Sequence, residues 1–409
     1  MKKYLMVFAV LLFIYQQPAG AQEISLQVAF IRNGDVWVKM NNREYRLSYT
    51  GSMSDPQWSH SGEYLSFYRK GALYVRHLSG HRYNKKVTGD MQLARWSPTE
   101  EKLAYLSGGL IYVYDMETQK SIPVTTGADQ FSWFPDGKRL LVTSGAKIQP
   151  DGWGQTALFE VPTDANLNFE KSRPFFVLPK PSDDFLAITT SGFKWSPNQK
   201  WISFIAVPTA SWSADSNTIC LLSADGKKFQ KLGKMVNNEE WMHWAPKGAK
   251  VGFIDGEGRI ATQNKKLTIK ELAAMAKGSV TPAGYVDWDF TWHNNETITV
   301  SRGKEAEWNN NEAKRPLPSL YEVSLKTHEQ IRITTPKKTE GDFHPIYLTS
   351  VNELAWIRSD RQKAFVWLGS SNGRNKRIWV RNVDVPTPYY DQYDWDEVMA
   401  VYEKTSNVN

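Results

Sequence analysis

The chain has 409 residues, 41% of them apolar and 13% aromatic, with 17 tryptophans and one cysteine. That is too much apolar and aromatic material for a disordered chain, and a lone cysteine excludes an intrachain disulfide, so the core must be held by packing. A formal charge of +7 without any dense basic run excludes an obvious nucleic-acid binder, while leaving a weak attraction to anionic envelope polymers.

At the N-terminus, Lys2 and Lys3 precede an apolar stretch from Tyr4 to Tyr15, and Ala19-Gly20-Ala21 supplies small residues at a cleavage site. Residues 1–21 are therefore read as a cleavable secretory signal, leaving 22–409 as a single domain. The stretch is short for a membrane span, so membrane contact is expected only through the transient signal; an uncleaved anchor is the alternative. No cysteine lies near the cut, which argues against a lipoprotein anchor. The mature chain is expected to be secreted or held in a bacterial cell envelope, as a monomer. Cys220, within the apolar run 218–222, reads as a buried core thiol.

Beyond the leader, three strands are predicted, Leu26 to Arg32, Asp35 to Lys39 and Glu44 to Tyr49. A phrase then recurs: an aromatic residue, a small residue, Pro or a polar residue, a turn and an apolar strand. It begins at Trp58, Trp96, Trp133, Trp195, Trp244 and Trp292, with a weaker copy at His344-Pro345-Ile346-Tyr347. Successive tryptophans are 38, 37, 62, 49 and 48 residues apart, a spacing that marks a repeat architecture. The segments between them alternate in hydropathy and are punctuated by turns such as Pro135-Asp136-Gly137. The prediction is an all-β propeller of four-stranded antiparallel blades. Seven phrases and one shared blade give eight; six or seven follow if a copy is a decorated loop. Pairing of Tyr389–Trp395 with the N-terminal strands is expected to close the ring and remove its open edges.

The phrase Trp-Ser-Pro-x-x-x-x-Leu/Ile-Ala/Ser-Tyr/Phe, with its nearest copy at 133–140, resembles the WD40-like (PD40) repeats of TolB-like propellers and of the propeller domain of dipeptidyl peptidase IV relatives. The resemblance runs from about residue 26 to 395 and implies the fold; such propellers serve as protein-binding scaffolds, peptidases and lyases. TolB also carries an N-terminal α/β domain, for which no room precedes Leu26, so a TolB role is not expected.

No catalytic residue is assigned. The peptidase relatives need a Gly-x-Ser-x-Gly elbow on a following hydrolase domain; none is read here, and 14 residues follow Trp395. No metal site or cofactor is expected, because HExxH and CxxC are absent and His77 and His81 flank a turn. His243, His293 and His344 sit in repeat phrases, where packing explains them, although the channel could also receive them. Asp287-Trp288-Asp289, Glu239-Glu240 and Asp394-Trp395-Asp396 lie near innermost strands; paired carboxylates there could serve a lyase or glycosidase, the alternative reading.

Long connections are predicted between the second and third strands of three blades, at 145–155, 207–217 and 303–319. Chain direction puts all three on one face of the ring. Each carries a Trp among polar residues: Trp153 with Asp151, Trp212 with Asp215, and Trp308 with Asn310 and Arg315. Long loops on a rigid scaffold commonly bind, and exposed Trp can stack on a sugar or anchor a peptide. The leading expectation is a non-enzymatic binding protein whose partner is another protein or a cell-wall polymer.

Overall fold

The computed structural model describes residues 26–79, 84–272 and 276–403. The predicted leader and His81 lie outside the described residues. Eight antiparallel sheets of the described residues form the ring, seven of four strands and one, that of blade 5, whose innermost strand is split into Thr189–Thr190 and Lys194–Trp195. Blade 1 comprises Leu26–Arg32, Asp35–Met40 and Arg43–Arg46, with Met399–Glu403 as its innermost strand. Blades 2 to 8 span 53–88, 93–126, 130–177, 189–235, 242–279, 285–332 and 341–383. The count of eight therefore holds. The ends of the chain do close the ring, but not with the predicted segment: Ala29 pairs with Ala400 and Phe30 with Met399. Tyr389–Trp395 instead makes a turn and leads into a short 3-10 helix at Trp395–Glu397.

Middle strands sit between neighbouring blades and are apolar on both faces, as in Asn217–Ser223, where every residue is buried, Cys220 included. Edge strands such as Arg43–Arg46 face solvent throughout. Turn chemistry follows the repeat phrase. At Gly137 φ is +66°, its N–H donates to the Phe134 carbonyl at 3.0 Å, and an added Cβ would fall 1.9 Å from Thr99 Oγ1 of the preceding blade.

The repeated Trp has a second task besides packing. Its indole Nε1–H crosses to the preceding blade and donates to a carbonyl of the innermost strand there. Trp58 reaches Ala400 (2.9 Å), Trp96 reaches Gln57 (3.1 Å) and Trp133 reaches Arg95 (2.8 Å). Trp195 reaches Trp133 (3.1 Å), Trp244 reaches Lys194 (3.0 Å) and Trp292 reaches His243 (3.2 Å). Six seams are thus stitched by the same bond.

Three innermost strands, in blades 2, 7 and 8, are bulged between Ser54 and Gln57, Asp287 and Asp289, and Phe343 and Ile346. Asp55 and His344 hold φ of +52° and +49° in these bulges. A bulge redirects side chains relative to the regular pleat.

Replacing Trp133 by Phe removes the donor and leaves the Arg95 carbonyl unpaired in a tight seam. It should cost about 2 kcal/mol. Urea denaturation checks this as a lower midpoint at unchanged slope.

Candidate functional site

The innermost strands converge on the axis, and their polar side chains meet there. The residue just before the repeat Trp is Gln57 in blade 2, Arg95 in blade 3, Lys194 in blade 5 and His243 in blade 6. Arg95 bridges to Glu239 at 2.8 Å, and Glu239 also accepts the Gly192 N–H at 2.7 Å. Lys194 donates to the Glu239 carbonyl at 2.7 Å and pairs with Glu240 at 3.2 Å. On the far side, His344 contacts Asp289 through Nδ1 at 2.9 Å and Asp396 through Nε2 at 3.5 Å. The bulges of blades 7 and 8 bring Asp289 and His344 into that contact.

Carboxylates outnumber cations in this wall, and their protonation reflects it. Burial opposes the charge of His344, but Asp396 and Asp289 outweigh it and lift the imidazole to about 9. Asp396 moves up to about 7, through burial first and then Glu240, Asp394 and Asp289, against the pull of His344. It lies deep within the ring, yet 48% of its side chain is accessible because it lines the lumen. Glu397 also rises to about 7, by burial and the nearby Asp394 and Asp55. Glu240 behaves oppositely: burial disfavours its charge, but Lys194 and His243 hold it down at about 2. Burial first, and then Lys194, push the His243 imidazole below its ordinary value, against the pull of Glu240 and Asp289.

Of the sequence candidates, Asp289, Glu239, Glu240, Asp394 and Asp396 line this wall, as do His243 and His344. Asp287 does not: it is fully buried and clasps Arg302 at 2.6 Å, a structural pair. His293 is packing, stacked on Tyr347 with ring centroids 4.3 Å apart and bonded to Thr299 Oγ1 at 2.7 Å. His77 lies edge-on to Tyr64. Arg95 and Lys194 were not singled out, although a polar residue immediately before each repeat Trp was a usable signal. Among the described residues, no three His, Cys, Asp or Glu side chains are arranged to hold a metal ion, and no helix is long and apolar enough to cross a membrane. One expectation is corrected: Gly369-Ser370-Ser371-Asn372-Gly373 does spell Gly-x-Ser-x-Gly. It forms the hairpin turn between Ala364–Ser370 and Arg377–Val383, closed by Gly373 N–H to Ser370 carbonyl at 2.8 Å, not a strand-to-helix elbow.

The second region is the loop face. The three long connections run from second to third strands as expected, and that of blade 7 meets a partner the sequence did not reveal, which that of blade 5 reaches through Arg259. The segment between blade 8 and the closing strand turns at Tyr389–Gln392, with Tyr390 and Asp391 at φ of +52° and +63°. Arg315 pairs with Asp391 at 2.6 Å and lies 4.4 Å from the centre of the Trp308 ring. Trp308 packs on Tyr390 at 5.2 Å and donates to Asn310 Oδ1 at 3.0 Å. Arg259, from the corresponding connection of blade 6, donates to Asp215 through Nε at 2.7 Å and to the Tyr389 hydroxyl at 3.2 Å. Arg315, a candidate binding residue of the third loop, has 10% of its side chain exposed and holds Asp391. Trp212 stays 37% exposed beside this cluster's Asp215, and Tyr389 and Tyr390 are 49% and 37% exposed. Trp153 and Asp151 sit apart, on a small hairpin of Ile148–Gln149 and Gly152–Trp153, with Asp151 exposed. No hydrogen bond or ring contact among the described residues joins that hairpin to the Tyr389–Asp391 cluster.

The chain's sequence matches no protein-family model and no curated protein. Solved structures do resemble its fold. The dipeptidyl peptidase 4 of Porphyromonas gingivalis superposes with a TM-score of 0.56 at 10% identity, covering 85% of this chain and 56% of that one. A puromycin hydrolase complexed with PGG gives 0.51 at 12% identity, covering 83% and 55%. A putative TolB from Agrobacterium tumefaciens is covered over 98% of its length and 93% of this chain at 12% identity, but its TM-score of 0.34 carries no argument. The chain spans just over half the length of the two peptidases, and identities this low establish a shared β-propeller fold alone.

The carboxylates raised at the axis make a definite pH signature. A group whose folded pKa lies above its unfolded one stabilises the fold at low pH, and that contribution is lost as pH rises through the folded value. Glu397→Gln removes one such group. Its melting temperature should lie close to the parent's at or below pH 4.5 and exceed it at pH 8 by about 2 °C, the gap growing as the pH rises from about 4.5 and complete above about 7, as read by calorimetry across that range.

Proposed function

We propose that this chain is an exported binding propeller, acting without catalysis as a monomer, that captures a protein or a cell-wall polymer on its loop face. The observation that carries the reading is the closing segment pinned across that face. Arg259 and Arg315 hold Tyr389–Asp391 against the loops of blades 6 and 7, so Tyr389, Tyr390 and Trp308 form an aromatic platform in a fixed geometry. A surface ordered before it binds loses little conformational entropy on association. Its chemistry, rings edged by guanidinium and amide groups, suits peptide anchors and sugars alike. Trp212 extends the platform over blade 5, and Trp153 with Asp151 lies on the next blade. The leader expected at 1–21 and the single buried cysteine support an extracytoplasmic setting.

The test is capture by isolated cell-wall sacculi and by a total envelope-protein extract, comparing the chain from Gln22 onward with a Trp212→Ala, Tyr389→Ala, Tyr390→Ala variant of normal melting. The expected outcome is retention on one pool, weakened about tenfold or more in the variant. Equal retention of both proteins would remove the loop face from consideration.

One observation favours a second reading, a lyase or glycosidase working at the axis: His344 lies between two carboxylates, Asp289 at 2.9 Å and Asp396 at 3.5 Å, the second with 48% of its side chain accessible and its carboxyl raised by burial. That reading requires release of reducing ends or unsaturated product from an envelope polysaccharide, abolished by Asp396→Asn. Product absent from the parent protein as well as the variant retires it.

A further inference from the structure

A cavity of about 480 Å³ opens at the axis among blades 2 to 5, lined by Trp58, Trp96, Trp133 and Trp195 together with Gln57 and Arg95. It lies beside the C-terminal ends of these innermost strands, whereas the long loops leave from the opposite ends of the blades. Its size is that of an ordinary small-ligand pocket. We propose that it is a second binding site, for a neutral saccharide.

The chemistry of the lining leads there. A peptide strand would need free backbone groups on the innermost strands. The carbonyls of Gln57, Arg95 and Trp133 are already occupied by the indoles of Trp96, Trp133 and Trp195. What remains for a ligand is the flat part of the indole lining and a few planar polar side chains. Sugar rings use this combination, laying C–H bonds on an aromatic surface while their hydroxyls meet amide and guanidinium groups around it. Arg95 supplies donors: its guanidinium lines the cavity with 28% of the side chain accessible, and only one of its terminal nitrogens is engaged by Glu239. Ser132 also lines the cavity; its oxygen accepts the Phe193 N–H at 2.8 Å, which leaves the hydroxyl hydrogen to donate.

Charge decides between neutral and acidic sugars. The Arg95 guanidinium is matched by Glu239 at 2.8 Å, and the channel wall beyond it carries Asp55, Glu240 and Asp396. An anionic ligand would meet carboxylates without a cation to spare; a ligand of uncharged hydroxyls meets no such penalty.

Isothermal titration with chitotriose and maltotriose as neutral probes, trigalacturonate as a charged one and a proline-rich decapeptide as a peptide one tests this. A neutral probe should bind at about millimolar Kd or tighter, weakened about tenfold by Arg95→Met and by Gln57→Ala; weakening by Tyr390→Ala instead would put the probe on the loop face and overturn the proposal. Because Arg95→Met also strips Glu239 of its partner, Gln57→Ala with a parental melting temperature serves as the independent variant. The proposal is overturned if neither neutral probe binds, if only trigalacturonate or the peptide binds, or if binding survives both substitutions. None of these outcomes depends on the loop-face reading, which Tyr390→Ala probes separately.

Discussion

The ring depends on one bond repeated around it, the indole N–H of one blade to an innermost-strand carbonyl of the blade before. A four-stranded sheet has two faces to cover and cannot stand alone, so blades must pack face to face. The innermost strand also has a free edge whose carbonyls need partners near the axis. Tryptophan meets both demands: it is the largest apolar side chain, and its N–H donates without needing to accept. Phe would pack without donating. In blades 8 and 1 a tyrosine holds the place of the repeat Trp and makes no such bond to the preceding blade: the Tyr347 hydroxyl turns to Asn352 of its own blade, and Tyr402 donates forward to the His60 carbonyl of blade 2 at 3.3 Å.

Radial convergence then creates the chemistry at the axis. Side chains that are far apart in sequence, such as Arg95 and Glu239, or Asp289 and Asp396, are brought together because every blade contributes its first strand to the same small circle. Three bulges sharpen this by turning individual residues out of the pleat. The outcome is an acidic lumen in a chain of net positive charge, with Lys194, Arg95 and protonated His344 compensating part of it. Crowded carboxylates cost stability when ionised, and the seams must supply the rigidity that holds them together.

The loop face is built by a different logic. Its connections are polar and have little core of their own, so they are ordered by tethering. The segment after blade 8 must travel from the rim of the ring to its axis before it can form the closing strand. It crosses the loops of blades 6 and 7 on the way, and Arg259, Arg315 and Arg361 grip it there, Arg361 lying 3.7 Å from Asp391. Closure of the ring and construction of the aromatic platform are thus two consequences of one path. The dipeptidyl peptidase 4 and the puromycin hydrolase that share the fold carry nearly as much chain again beyond the matched part.

The sequence by itself determined the blade and the face from which the long loops leave, and favoured eight blades while leaving six or seven open. Strand period, turn residues and the Trp phrase are local signals, and antiparallel alternation fixes which loops share a face. It marked Asp289, Glu240 and Asp396 as near the innermost strands, and Trp308 and Asp215 as loop residues, without saying what each would touch; His344 it read as repeat packing, with the channel as an alternative. Only the tertiary structure decided that Tyr389–Trp395 is a tether and Met399–Glu403 the closing strand, because both alternate like strands and the choice turns on which one reaches the edge of Leu26–Arg32. The same holds for Arg315, whose fate as a stitch depends on Asp391, 76 residues away. Pairings across a closed ring are set by where blades meet in space, and no local pattern records that.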